Sequence, residues 1–274
     1  MDIPNLTERL RRELEFANYS NSTINQYESC LKQFINYFNS KYNEPKKIPT
    51  SAIKEYVTSL HGIAKKKQAI GCLKLFYKHV CKQPKKLSGV AYPKGESKKA
   101  IILSDSELRA LFGACTNLKH RTIMEVMYGT GVRVSELLNI KLSDIDRANG
   151  VIHIHDGKGC KQRHVTLSSK LLSSITRYWR AYRSEVYLFE GVACRKYSAS
   201  SINQFLKKYA AKAGVKKRIY AHLLRHNYTT SSLKNGENLY ITQKCLGHKS
   251  PSTTSNYYYH ISPEIVSGAF QPTI

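Results

Sequence analysis

Residues 84–100 break an otherwise helical pattern, and that break limits what the chain can fold into more than any other feature. The stretch contains Pro84-Lys85-Lys86-Leu87-Ser88-Gly89, Pro93-Lys94-Gly95 and Lys98-Lys99. Proline and glycine among five lysines describe an exposed linker, not a packed element. A chain of 274 residues interrupted there is expected to form two domains. These are residues 1–83, a basic linker at 84–100, and residues 101–274.

The first domain reads as four helices. Leu6, Leu10 and Leu14, with Phe16, mark an amphipathic helix. Ile24, Tyr27, Leu31, Phe34, Ile35 and Phe38 recur at three- and four-residue spacing in a second. Thr50 is placed to cap a third, which contains Ile53, Tyr56, Val57 and Leu60. The fourth starts near Ala64 and buries Ile70, Leu73, Phe76, Tyr77 and Val80. Its first turn carries Lys65, Lys66 and Lys67. Such a run is either a solvated face or a phosphate contact, and the charge of the chain favours phosphate.

The second domain opens with Ser104-Asp105-Ser106-Glu107, a capping box. Helices are expected to about Leu138. Apolar and polar residues then alternate over 151–155 and 162–167, as in the strands of a small hairpin, with Asp156-Gly157-Lys158-Gly159 as its turn. Helical patterns resume at about 168–184, 199–213, 222–234 and 238–246. Ser250-Pro251 reads as the cap and first turn of one more helix. The fold class is therefore mainly α with a small antiparallel β-sheet.

The chain holds 44 Lys+Arg against 19 Asp+Glu, a formal charge of +25. The excess is shared by both halves, so both are expected to meet a polyanion. No apolar run approaches a membrane span, and no secretory signal is evident. The seven cysteines are odd in number and scattered, as expected of reduced thiols in a cytosol-like compartment.

Four fragments carry the chemistry: Gly131-Val132-Arg133-Val134-Ser135-Glu136, Gly157-Lys158-Gly159, His222-Leu223-Leu224-Arg225-His226, and Leu246-Gly247-His248 with Tyr257 nine positions on. They supply cations for a phosphate, proton donors and acceptors, and a phenol. Arginine offers a permanent charge and a planar fork of donors that matches phosphate. Arg133 follows Gly129-Thr130-Gly131, where backbone can approach a ligand closely, although an ion pair with Glu136 is an equally simple reading. Lys158 at a glycine-flanked tip can reach a leaving oxygen as a general acid, but such turns are common. His222 and Arg225 share one helix face, and His226 is expected to turn inward. A zinc site is disfavoured, because Leu223 stands where a zincin has glutamate and Cys245/His248 lack a second pair.

The set Thr-Gly-Val-Arg-Val-Ser-Glu, Gly-Lys-Gly, His-Leu-Leu-Arg-His and Leu-Gly-His-Lys-Ser-Pro-Ser-Thr-Thr-Ser-Asn-Tyr resembles the tyrosine recombinase (phage integrase) family in order and spacing, over about residues 101–262. The resemblance implies a helical core-binding domain followed by an α+β catalytic domain. It implies that Arg133 and Arg225 clamp a scissile phosphate, Lys158 protonates the departing 5′ oxygen, and His222 handles the proton of the tyrosine. His248 would hydrogen-bond a phosphate oxygen, and Tyr257 would attack to leave a 3′-phosphotyrosine. It further implies double-stranded DNA as partner, a dimer on each site and a homotetramer on paired sites, a Holliday junction, and no metal, ATP or other cofactor. The run Tyr257-Tyr258-Tyr259-His260 departs from the family's Tyr-x-His ending, which would select Tyr258; spacing from His248 selects Tyr257. DNA contacts are expected from Lys65, Lys66, Lys67, Lys98 and Lys99, with the basic linker strapping two domains around a duplex. A cytoplasmic protein working on nucleoid or host-cell DNA follows. The alternatives are a monomeric type IB topoisomerase and a non-catalytic DNA-binding regulator on the same fold.

Overall fold

The computed structural model describes residues 1–95, 101–155 and 163–247, save the side chain of Cys194. It divides into two compact units, Met1–Lys98 and Lys99–Ile274.

In the first unit four α-helices surround one apolar core: α1 (Ile3–Phe16), α2 (Asn21–Phe38), α3 (Thr50–Ser59) and α4 (Ile63–Leu75). Leu10, Leu14, Leu31, Phe34, Ile35, Ile53, Ile70 and Leu73 are buried there. Local chemistry sets the starts. Asp2 accepts from the Asn5 amide with Pro4 in the first turn, and Ser20 accepts from the Thr23 amide.

Four expectations need correction. Phe16 is 90% exposed, because it lies two residues beyond Leu14 and so points away from the Leu10/Leu14 stripe. Pro49 occupies the cap position of α3, and the Thr50 hydroxyl instead donates to the Lys86 carbonyl at 3.2 Å. The fourth helix widens into a π turn at Phe76–Val80, closed by the Cys81 amide on the Phe76 carbonyl at 3.1 Å. The wider turn lets Phe76, Tyr77 and Val80 all face the core, with the Tyr77 hydroxyl donating to the Pro45 carbonyl at 2.9 Å. Finally, Leu87 and Val90 are buried in this core, so the stretch read as exposed linker is packed at its start. Two apolar side chains in a basic run are enough to seat it.

The second unit contains α5 (Asp105–Ala114), α6 (Leu118–Thr130), α7 (Val134–Leu137), strands β1 (Ile145–Asp146), β2 (Val151–Ile154) and β3 (Arg163–Thr166), then α8 (Ser169–Tyr182), α9 (Ala199–Lys212), α10 (Ala221–Lys234) and α11 (Leu239–Leu246). The capping box forms as read: the Glu107 amide donates to Ser104 Oγ and the Ser104 amide to Glu107 Oε2. The sheet is antiparallel in the order β1-β2-β3, with Ile152 opposite Val165 and His153 opposite His164. The two-residue β1 was not foreseen, being too short to show an alternation. Ile123, Met124, Val126 and Met127 of α6 lie at 0% exposure, and α6 packs against α8 and α10. The fold is mainly helical with one small antiparallel sheet, as expected.

Candidate active site

Helix α6 ends at Gly131, whose φ of +63° closes a left-handed cap on the Met127 carbonyl. Only glycine fits. A Cβ there would lie 2.5 Å from Tyr228 Cδ1 and 2.8 Å from Leu246 Cδ2. The cap turns the chain so that Arg133 precedes α7, one turn from Glu136.

Glu136 is the centre of the cluster. It is buried and accepts hydrogen bonds from Arg133 and Arg163, with Arg225 at ion-pair distance. The Arg133 amide donates to Oε2 and Arg133 Nη1 to Oε1, both at 2.7 Å. Arg163, from β3, grips the same carboxylate in a fork, at 2.9 and 2.7 Å. Arg225, from α10, has Nη1 4.0 Å from Oε2. Burial pushes the carboxyl up, but the hydrogen bonds from Arg163 and Arg133, with the charge of Arg163, outweigh it and hold the pKa at about 2. Three guanidiniums around one carboxylate leave a net positive cluster.

The ion pair of Arg133 with Glu136 exists, and it orients the guanidinium so that Nη2 reaches the Gly247 carbonyl at 3.0 Å. The Arg133 side chain stays about one-third exposed. Arg225 is 2% exposed and lies behind, donating to the Gly131 carbonyl at 2.6 Å and the Leu246 carbonyl at 2.7 Å.

His222 opens α10 and reaches solvent, yet the protein around it is close enough that desolvation, ahead of Arg225 and Arg133, lowers its pKa. His226 is half-buried, its ring 4.4 Å from that of His222 in an edge-to-face arrangement. Burial, then His222 and Arg225, lowers its pKa to about 4. Both imidazoles are therefore neutral at pH 7, and His222 presents an acceptor nitrogen beside the arginines. Among the described residues no group of three His, Cys, Asp or Glu side chains is arranged to hold a metal.

Arg133, His222 and Arg225 come together, although their motifs are separated by about ninety residues. Lys65, Lys66 and Lys67 lie on the first turn of α4, in the other unit, with Lys65 and Lys67 exposed. Lys98, Lys99, Lys158, His248, Tyr257 and Tyr258 lie outside the described residues. Arg163 was missed in the sequence. The available signal was its place two residues before buried Val165, on the same face of β3, with His164 between them exposed. An arginine on an apolar face demands a buried acid.

Residues 102–264 match the phage integrase family, and residues 6–87 match the phage integrase N-terminal SAM-like domain. The chain is 30% identical over 261 residues to a tyrosine recombinase of Pseudothermotoga lettingae, covering 89% of this chain and 90% of that protein. It is also 30% identical over 258 residues to tyrosine recombinase XerA of Pyrococcus horikoshii, covering 92% and 88%. Among solved structures, XerA recombinase aligns with a TM-score of 0.59 at 28% identity, over 99% of this chain and 100% of that one. A XerH recombinase bound to palindromic difH substrate in a post-cleavage complex shares the fold, with a TM-score of 0.75 at 23% identity over 89% and 78%. The chain belongs to the phage integrase family, the tyrosine recombinases. No helix among the described residues is long and apolar enough to cross a membrane.

Proposed function

We propose that this chain is a site-specific DNA recombinase that cuts and rejoins duplex DNA through a 3′-phosphotyrosine. The observation that carries the reading is the positive cluster of Arg133, Arg163 and Arg225 around Glu136, with neutral His222 at its rim. Such a cluster opposes the extra negative charge that a phosphodiester gains on its non-bridging oxygens during attack. Arg133 and Arg225 stabilise that charge. His222 accepts the phenol proton of Tyr257 as its oxygen bonds to phosphorus, Lys158 protonates the departing 5′ oxygen, and His248 hydrogen-bonds the phosphate. One P–O bond forms and one breaks, so neither metal nor nucleotide is consumed, and the tyrosyl ester keeps the bond available for a partner strand.

Exchange of strands between two duplexes then needs two sites, each held by a dimer, in a tetramer that passes through a Holliday junction. One λ integrase structure of the same fold, at a TM-score of 0.78 and 17% identity, is a tetramer bound to a Holliday junction, which makes this assembly the natural one to test. The helical domain of residues 1–83 and the basic stretch at 84–100, with Lys65, Lys66, Lys67, Lys98 and Lys99, contact the DNA backbone. The protein works in the cytoplasm on nucleoid or host-cell DNA.

The test is covalent capture. Footprinting on DNA flanking the chain's own gene locates the site, and a nicked suicide duplex of that site is incubated with enzyme in EDTA. The wild type is expected to form a protein–DNA adduct that maps to Tyr257, and Tyr257→Phe to bind without forming it. Loss of adduct in Tyr258→Phe alone would move the nucleophile by one residue, and no adduct from the wild type would overturn the reading.

A further inference from the structure

Arg163 joins three parts of the molecule with one side chain. Its Nη1 and Nη2 hold both oxygens of Glu136 on α7, and its Nε donates to the Cys245 carbonyl at 2.8 Å, in the last turn of α11. Its side chain also lies flat against the end of that helix. A Cβ on Gly247 would come 3.1 Å from Nη1 and 3.3 Å from Cζ. Gly247 caps α11 with φ +64° and its carbonyl receives Arg133 Nη2. One side chain, 12% exposed, thus connects the first residue of β3, the loop of Arg133 and the end of α11.

We propose that Arg163 is a positioning residue for DNA cleavage: it fixes the Arg133 guanidinium through Glu136 and seats the Gly247 end of α11 beside it. The inference rests on the proposed function, and it assigns Arg163 no contact with DNA. Its Nε and both terminal nitrogens are already turned onto protein acceptors, so its effect passes through Glu136 and the α11 cap. The bidentate fork is the reason for arginine here. A lysine ammonium can approach one carboxylate oxygen, but it has no planar fork and no Nε for the Cys245 carbonyl.

Among the described residues, the charged and titratable groups facing Glu136 are Arg133 just before α7, Arg163 from β3 and Arg225 from α10, with His222 beyond the arginines. Without Arg163 the carboxyl loses the strongest group holding it down, while its burial remains. It then titrates nearer neutrality, and a protonated Glu136 no longer holds Arg133.

The experiment compares Arg163→Gln, Arg163→Lys, Glu136→Gln and the double Arg163→Gln/Glu136→Gln on the nicked suicide duplex, with DNA affinity measured in parallel. Arg163→Gln is expected to cleave about a hundredfold more slowly, as for a misplaced catalytic group, with affinity within about threefold. Arg163→Lys should fall between it and the wild type. The rate of Arg163→Gln relative to wild type should drop further between pH 7.5 and 5.5, and that extra drop should vanish in the double variant, whose rate is no lower than the slower single variant. Cleavage by Arg163→Gln within twofold of wild type, parallel loss of affinity and rate, or additive losses in the double would overturn the inference. Should Arg163→Gln not fold, Arg163→Lys decides: a rate equal to wild type sinks the proposal, and a slower rate at unchanged affinity supports it. A wild type that forms no adduct would instead sink the functional reading, so the two failures are distinct.

Discussion

Arg225 Nη1 donates to the carbonyl oxygen of Gly131 at 2.6 Å, across 94 residues of sequence. The bond ties the cap of α6 to α10, and the second bond to the Leu246 carbonyl ties both to the end of α11. A buried guanidinium is therefore placed by the turns that position the rest of the site. In Arg225→Lys a single nitrogen replaces the two arms of the fork that reach the Gly131 and Leu246 carbonyls, so at least one of these buried bonds is weakened or lost. That is expected to cost about 1–3 kcal/mol in urea unfolding. Cleavage should fall by at least about a hundredfold if, as proposed, this charge stabilises the phosphate. A variant that cleaves normally would show that Arg225 serves the fold alone.

Gly131 is a steric requirement as well as a conformational one. Gly131→Ala places a methyl 2.5 Å from Tyr228 and 2.8 Å from Leu246 at a positive φ. Strain and overpacking together are expected to cost about 2–4 kcal/mol. Gly236 has a φ of +81° but open space around its Cβ position, so Gly236→Ala should cost only about 1 kcal/mol. Urea midpoints of the two variants separate the steric part from the conformational part, and equal losses would contradict the crowding at Gly131.

Most elements were legible because they announce themselves locally. Ser104 and Glu107 cap α5 reciprocally, and the Ile152/Ile154 and Val165/Leu167 alternation marks the hairpin. The motif spacing likewise brought Arg133, His222 and Arg225 to one place. What was hidden depends on distant partners. Arg163 looks like an ordinary polar strand residue until its acid, 27 positions earlier, is folded against it. The π turn at Phe76–Val80 is similarly chosen by the core and not by propensity, since an unbroken α-helix suits the same sequence.

Two acid-sensitive windows follow from the site. The folded-state pKa of His226 lies near 4, below that of the unfolded chain, so the unfolded state binds more protons between those values. Its contribution to stability is complete above about pH 6.5 and is lost as pH falls toward 4. Glu136 is depressed as well, to about 2, and its roughly 3 kcal/mol is present above about pH 4.5 and lost below it. Urea midpoints from pH 8 to 3 should therefore fall first in the histidine window. In His226→Gln the decline between pH 6.5 and 4.5 should be shallower, with the lower window unchanged. An identical profile for that variant would show that His226 does not titrate as its surroundings require.

The α4 lysines can be separated from a merely solvated face by salt. Helix α4 begins at Gly62 with no side-chain cap and no acidic residue in its first turn, so its free amides and three ammonium groups sum to an anion-seeking end. Each ammonium resting on a DNA phosphate releases about 0.9 of a counterion on binding. Replacing Lys65, Lys66 and Lys67 with alanine should weaken binding to any duplex and reduce the slope of log affinity against log salt by roughly two to three. Alanine also favours helix, so the fold should survive. Cleavage at saturating enzyme should remain close to wild type, because these side chains lie in the other unit from Arg133 and Arg225. An unchanged salt slope in the triple variant would mean that the three ammonium groups face water when DNA is bound.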